Sequence, residues 1–150
     1  MTQPSVSARP TGVVGPAVAA GILAGILIDA FIISIKMAPF PGVYQFIASG
    51  LVGKVAFSSS AYIWLGLLLH FVISVVWALL YVFIARALGV LRSWIWSGIV
   101  FGIVVLIGMQ IVVVARGLAP LPELAGLGEL LIAHVIFFGL PIAFYLRRLG

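Results

Sequence analysis

From Ala61 to Ala85 the chain reads AYIWLGLLLHFVISVVWALLYVFIA, without one charged side chain. A helix needs about 20 apolar residues, each rising about 1.5 Å, to cross a bilayer. This run is long enough, and it fixes the class of the chain. Composition points the same way. Of 150 residues, 65% are hydrophobic and 7% charged, where a soluble domain carries roughly 25% charged residues. So few charges leave too little polar surface to face water on all sides, and lipid is the solvent for most of the chain.

Three more apolar runs flank this one. The first is 13–35, the third 94–115, the fourth 129–146. With 61–85 they predict an all-α membrane protein, a four-helix transmembrane bundle filling one domain over 13–148. Residues 1–12 are small, polar and proline-containing, and read as a disordered cytoplasmic tail. The run 13–35 is longer than the roughly 7–15 apolar residues of a signal peptide, so it reads as a retained span.

The longest connection, 36–60, opens with Pro39 and Pro41, which should stop the first helix. Its middle, GVYQFIASGLVGKVAF, is too short and interrupted to span and predicts a short interfacial or half-inserted helix between spans one and two.

Small residues recur at helical spacing. Gly21, Gly25 and Asp29 share one face of span one; Gly66, His70, Ser74 and Ala78 share one face of span two, with Tyr81 continuing it; Gly98 and Gly102 pair in span three. Small residues let membrane helices approach closely, so these faces are candidate helix-packing surfaces, within one chain or between copies. In span four Pro141 should introduce a kink, and His134, Phe138, Pro141 and Tyr145 fall roughly on one face.

The net charge of +5 sits at the ends of the apolar runs. That pattern fits topology and anionic headgroups better than nucleic acid. Arg9, Arg86, Arg92, Arg147 and Arg148 fall on one side of a four-span arrangement, and Lys36, Lys54 and Arg116 on the other with Glu123 and Glu129. The bias predicts both termini in the cytoplasm. Trp94 and Trp96 at one end, and Tyr62 and Trp64 at the other, fit interfacial aromatic belts.

Each span contributes one polar residue at a similar level, forming a candidate buried set: Asp29, His70, Gln110 and His134. At about 1.5 Å per residue all four lie roughly 8–14 Å below the outer surface. Facing inward, they would meet as a polar cluster. An ionisable group in hydrocarbon costs on the order of 2.5–3.5 kcal/mol, so each needs a partner and marks a candidate site. His70 and His134 can supply the donor that Asp29 needs.

Several functions fit that cluster. The first is a non-enzymatic accessory or structural bundle, self-associating or in a membrane complex, whose cluster is closed, fully hydrogen-bonded and without a cavity. The second is a small-solute or proton-linked transporter, which calls for a water-accessible cavity reaching Asp29. The third is an electron-transfer subunit holding a b-type haem between His70 and His134, or a metal on His70, His134 and Asp29. Enzyme signatures are missing: there is no P-loop, GxSxG or HExxH, Ser58–Ser60 have no nearby base in sequence, and Glu123 and Glu129 read as solvated loop residues. The chain has no cysteine, which excludes disulfides and thiolate sites.

The segments GILAGILIDAF, QFIASGLVGKVAF, LGLLLHFVISVVWALLY and LLIAHVIFFGLPIAFYLRR together resemble a set of small, uncharacterised bacterial four-span integral membrane proteins. The resemblance covers most of Gly21 to Arg148. It rests on Asp29, the IASG at Ile47–Gly50, His70, His134 and the Gly139–Pro141 turn. It implies a four-helix bundle in the bacterial inner membrane and draws attention to these residues, but implies no reaction.

Overall fold

In a computed structural model, residues 11–37, 40–118 and 124–150 are described. Arg9, Pro39, Glu123 and most of the predicted N-terminal tail lie outside them. The described residues are helical with no strand: α1 (Thr11–Ser34), α2 (Gly42–Val52), α3 (Ala61–Ala87), α4 (Trp94–Ala115), α5 (Leu124–His134) and α6 (Leu140–Leu146). Four helices are long and apolar enough to cross a membrane: Gly12–Ser34, Ala61–Ala87, Trp94–Ala115 and Gly126–Leu149. In lipid every backbone polar group must be satisfied internally, which a helix does within its own segment.

The bundle is an up-down ring with one loose seam. α1 packs on α3 and on the fourth span, and the fourth span packs on α4, while α3 and α4 barely touch. The glycine pairs explain the tight seams. A Cβ on Gly21 would lie 2.7 Å from Val75 Cα of α3. A Cβ on Gly102 would lie 2.7 Å from Val135 Cα, and one on Gly98 would lie 2.9 Å from Ala143 Cβ. Gly21 therefore seats α1 against α3, and the α4 pair seats the fourth span.

Buried Ala17, Ala20, Ala24, Ala78, Ala85 and Ala143 complete these small-residue contacts. Larger core groups fill the middle: Phe31 stacks on Phe137 with ring centroids 4.4 Å apart. Leucines, isoleucines and valines are exposed along every span, as lipid-facing surfaces require. Trp64 and Trp96, at opposite ends, are 73% and 74% exposed, where amphipathic rings anchor an interface.

Three spans end in the same way. Met37 N–H donates to Ile32 O and Lys36 N–H to Ile33 O; Val90 and Gly89 repeat the pattern on Ala85 and Arg86, and Leu118 and Gly117 repeat it on Val113 and Val114. This is the Schellman closure, which needs a left-handed residue at its first position. Gly89 and Gly117 supply it at φ 69° and 61°, and Lys36 adopts it at φ 57°. The first helix is thus terminated before the prolines expected to stop it.

The fourth span differs most from expectation. Its described helix already includes Leu124, so Glu129 lies inside the helix. At Val135–Gly139 the helix widens into a π turn, with Leu140 N–H donating to Val135 O five residues back. Pro141 follows and has no N–H to give. The extra residue in the turn rotates the helix face. His134 and Phe138 look inward while Tyr145 is 42% exposed, so the predicted single stripe is broken.

The segment 42–58 is also two pieces. α2 ends at Gly53, whose φ of 76° breaks the helix, and a 3-10 turn Gly53–Ser58 follows. α2 packs closely along α3. Its contact point is Gly66, where an added Cβ would run into the carbonyl of Tyr44. The predicted helix-packing glycine of α3 therefore receives the short helix, not another span.

Candidate functional site

Helical spacing brings Asp29 and His70 together. Gly25 and Asp29 are one turn apart on α1, and His70 and Ser74 are one turn apart on α3. Because Gly21 and Gly25 have no side chains, α3 comes close enough for His70 to reach across. His70 Nε2–H donates to Gly25 O at 3.1 Å and lies 3.3 Å from Asp29 Oδ2. His70 thus points into the bundle, with its side chain 13% exposed. A Cβ on Gly25 would sit 3.2 Å from His70 Nε2 and 3.1 Å from Ser74 Oγ, so this glycine is the floor on which the imidazole rests.

A third residue completes the group. The Tyr44 hydroxyl, carried by α2, donates to Asp29 Oδ2 at 2.9 Å. Its burial, with Asp29 as hydrogen-bond partner and as neighbouring charge, pushes Tyr44 up to about 12. Tyr44 therefore stays protonated and serves as a donor. The sequence offered little to find it by: a tyrosine in a short amphipathic helix reads as an interfacial anchor. The indirect signal is Gly66, a small residue facing inward at a level where only α2 could meet it.

Gln110 and His134 do not bond to this group. His134 Nδ1–H donates to Leu130 O of its own helix at 2.8 Å, and among the described residues the Gln110 amide makes no protein hydrogen bond. Instead, Asp29, His70, Gln110 and His134 all line one cavity of about 170 Å³. Apart from Ser74 the rest of its wall is apolar and includes Ile28, Ile73, Trp77, Val105 and Phe138, with Val43, Phe46 and Ile47 of α2 covering one end. At roughly 30 Å³ per water, the space holds several waters or one small solute.

α2 is tied down across that end. Tyr44 holds its first turn to Asp29; Arg116, at the end of α4, donates to Leu51 O at 2.9 Å in its last turn. Gln45 Nε2 donates to Ala56 O and Ser59 O, both at 3.2 Å, fixing the turn that follows.

The geometry bears on the cofactor alternatives. Among the described residues no three His, Asp or Glu side chains gather as metal ligands. For a haem the histidines are ill-disposed: His70 Nε2 is committed to Gly25 O and Asp29. The cavity is also smaller than the roughly 300–1,000 Å³ of a pocket for a drug-sized ligand. These residues do not fit a haem.

No family model, curated protein or solved structure matches the chain.

Proposed function

We propose that this chain is a small multi-pass protein of the bacterial inner membrane, of the transporter type, that binds a small solute within the membrane at Asp29, beside His70. One observation carries the reading: the polar residues of three helices and Asp29 line a shared cavity with hydrogen-bonding capacity to spare. A purely structural network closes on itself. Here the Tyr44 donor and the nearby His70 Nε2 both lie at Oδ2, and among the described residues no protein donor reaches Oδ1. No described side-chain polar atom is both buried and without a partner, so the spare atoms border the cavity.

Charge supports the orientation. Arg86, Arg92, Arg147 and Arg148 belong to the end carrying the C-terminus, and Lys36, Lys54 and Arg116 to the end carrying α2. The more basic end faces the cytoplasm, which puts α2 and the cavity toward the outer surface.

The test uses a thiol where the chain has none. N-ethylmaleimide crosses lipid but reacts only with a thiolate, which forms where water reaches the sulfur. In proteoliposomes Gln110→Cys should react, and Val104→Cys, on the lipid-facing side of the same helix at 49% exposure, should not. An unreactive thiol at position 110 would mean a dry, closed bundle and would end the binding reading.

A further inference from the structure

The cavity shares a wall with a second space. Phe46, Ile47, Ile73, Trp77, Met109 and Val113 line it and also line a second space of about 460 Å³ between α3 and α4. That second space is the loose seam of the ring. Its outer lip is made by Val72, Val76, Leu80 and Val112, each between 44% and 49% exposed. No ionisable residue lines it. A polar chamber thus adjoins an apolar cleft that faces lipid, with Trp77 in the wall they share, while α2 covers the end that would otherwise open to water.

The hydrogen-bond pattern says which head group the chamber suits. His134 gives its Nδ1 proton to Leu130 O, so its Nε2 is left as an acceptor in the neutral ring. His70 gives its Nε2 proton to Gly25 O, with Asp29 Oδ2 3.3 Å away, so its Nδ1 is likewise an acceptor. Asp29 Oδ1 accepts and has no protein donor among the described residues. Gln110 can accept or donate. No Lys or Arg lines the chamber to balance the carboxylate. An acceptor-rich wall with one carboxylate in low dielectric favours a cationic donor and disfavours an anion.

We propose that the site takes a lipid-borne amine: a single-chain molecule whose compact ammonium head sits against Asp29 in the chamber and whose hydrocarbon chain lies in the cleft between α3 and α4. This deepens the binding reading above and rests on it. The amine enters from the bilayer through the seam, past Trp77, without displacing α2. Its chain covers the exposed valines of the lip, and its head supplies the donor that Asp29 Oδ1 lacks.

The experiment uses the full chain in phosphatidylcholine nanodiscs, with Trp64, Trp94 and Trp96 replaced by Phe so that Trp77 is the sole reporter. A mid-chain dibrominated octadecylamine is titrated against the matching dibrominated fatty acid, and bromine within contact of Trp77 quenches its fluorescence. The amine should quench saturably, and the acid only in the shallow linear way of a label in bulk lipid. Asp29→Asn should weaken the apparent affinity at least about tenfold, as loss of a charge-assisted pair requires. Val112→Phe, which fills the cleft without touching the chamber, should abolish saturation, and it keeps the test decisive where Asp29→Asn fails to fold. Equal linear quenching by amine and acid overturns the proposal, as does saturable quenching that survives both substitutions. If the amine fails while the thiol of Gln110→Cys still reacts with maleimide, only this inference falls; an unreactive thiol removes the binding reading beneath it.

Discussion

Tyr44 of α2 and Asp29 of α1 meet at 2.9 Å, and this contact makes the short helix part of the site. Without it α2 would be an interfacial segment beside the bundle. With it, α2 supplies the hydrogen-bond donor to Asp29 Oδ2 and covers the cavity. Replacing Tyr44 by Phe leaves the ring's packing and removes the donor. A hydrogen bond to a charged partner is worth roughly 1.5–3 kcal/mol in soluble proteins, and membrane-embedded ones average less. We expect Tyr44→Phe to cost about 1–2 kcal/mol, read as a lower Tm in detergent. An unchanged Tm would show that the contact contributes nothing to holding α2.

The same hydroxyl sets an alkaline limit. Its ordinary value of 10.0 is raised to about 12 in the folded protein. A group whose folded value is raised stabilises fully below its unfolded value, and that contribution is lost as pH rises through the folded one. The wild-type protein should therefore lose stability between about pH 10 and 12. Tyr44→Phe should flatten that part of the profile, with thermal unfolding followed at stepped pH as the measurement. A parallel fall in the variant would assign the loss to other groups.

Glycine substitutions separate packing from propensity. Gly15 has nothing within 4 Å of an added Cβ, whereas Gly21, Gly66 and Gly102 face backbone atoms of a neighbouring helix. Gly15→Ala should be neutral or gain up to about 1 kcal/mol of helix propensity. Gly21→Ala and Gly102→Ala should each lose about 1–3 kcal/mol as the seams are forced apart. Gly66→Ala should act differently, releasing α2 and exposing the thiol of Gln110→Cys to maleimide faster. Equal Tm values for all four variants would refute the account of the seams.

How much of this was legible in the sequence follows from what each residue's neighbours reveal. The spans were readable because uncharged runs of this length have no other stable home. Asp29 and His70 were readable as partners because each stands alone in apolar surroundings, at similar depth, beside small residues at helical spacing. Tyr44 was not readable, since nothing in its local pattern tells that α2 folds back onto Gly66. Gln110 and His134 were readable as polar and deep, but not as bordering a cavity. A cavity depends on which seam of the ring stays loose, and that follows from how whole helices pack and not from any one residue. The π turn was hidden as well. Pro141 announces a disturbed helix, yet the register of the extra residue is fixed by how Gly139 packs on Gly98 and Gly102.

Lys36 tests the helix end. It holds the left-handed position that Gly89 and Gly117 fill in the other two closures. A side chain there costs on the order of 1–2 kcal/mol relative to glycine. Lys36→Gly should recover about 1 kcal/mol of that, since glycine loses some entropy in return. Thermal unfolding in detergent reads the gain. A loss of stability would mean that the ammonium group holds the α1 end by its charge.

Trp77 governs the seam. Its indole lines both the chamber and the cleft, and an added Cβ on Gly108 of α4 would lie 3.3 Å from its Cζ2 and Cη2. The ring also meets Phe101 edge-on at 6.1 Å, and one turn further Tyr81 donates to Ser97 Oγ at 2.8 Å, closing the seam toward the other end. The indole is thus the partition between two spaces that already share a wall. Removing a fully buried Trp costs about 3–5 kcal/mol. Trp77 is half-buried and borders empty space on two sides, so Trp77→Ala should cost less, about 1–3 kcal/mol. The same change joins the chamber to the cleft, so the maleimide reaction at Gln110→Cys should speed up. Gly108→Leu should press the indole into the chamber and slow it. Opposite responses identify Trp77 as the gate of the lateral path; identical rates in both variants would place the route to Asp29 elsewhere, through the end that α2 covers.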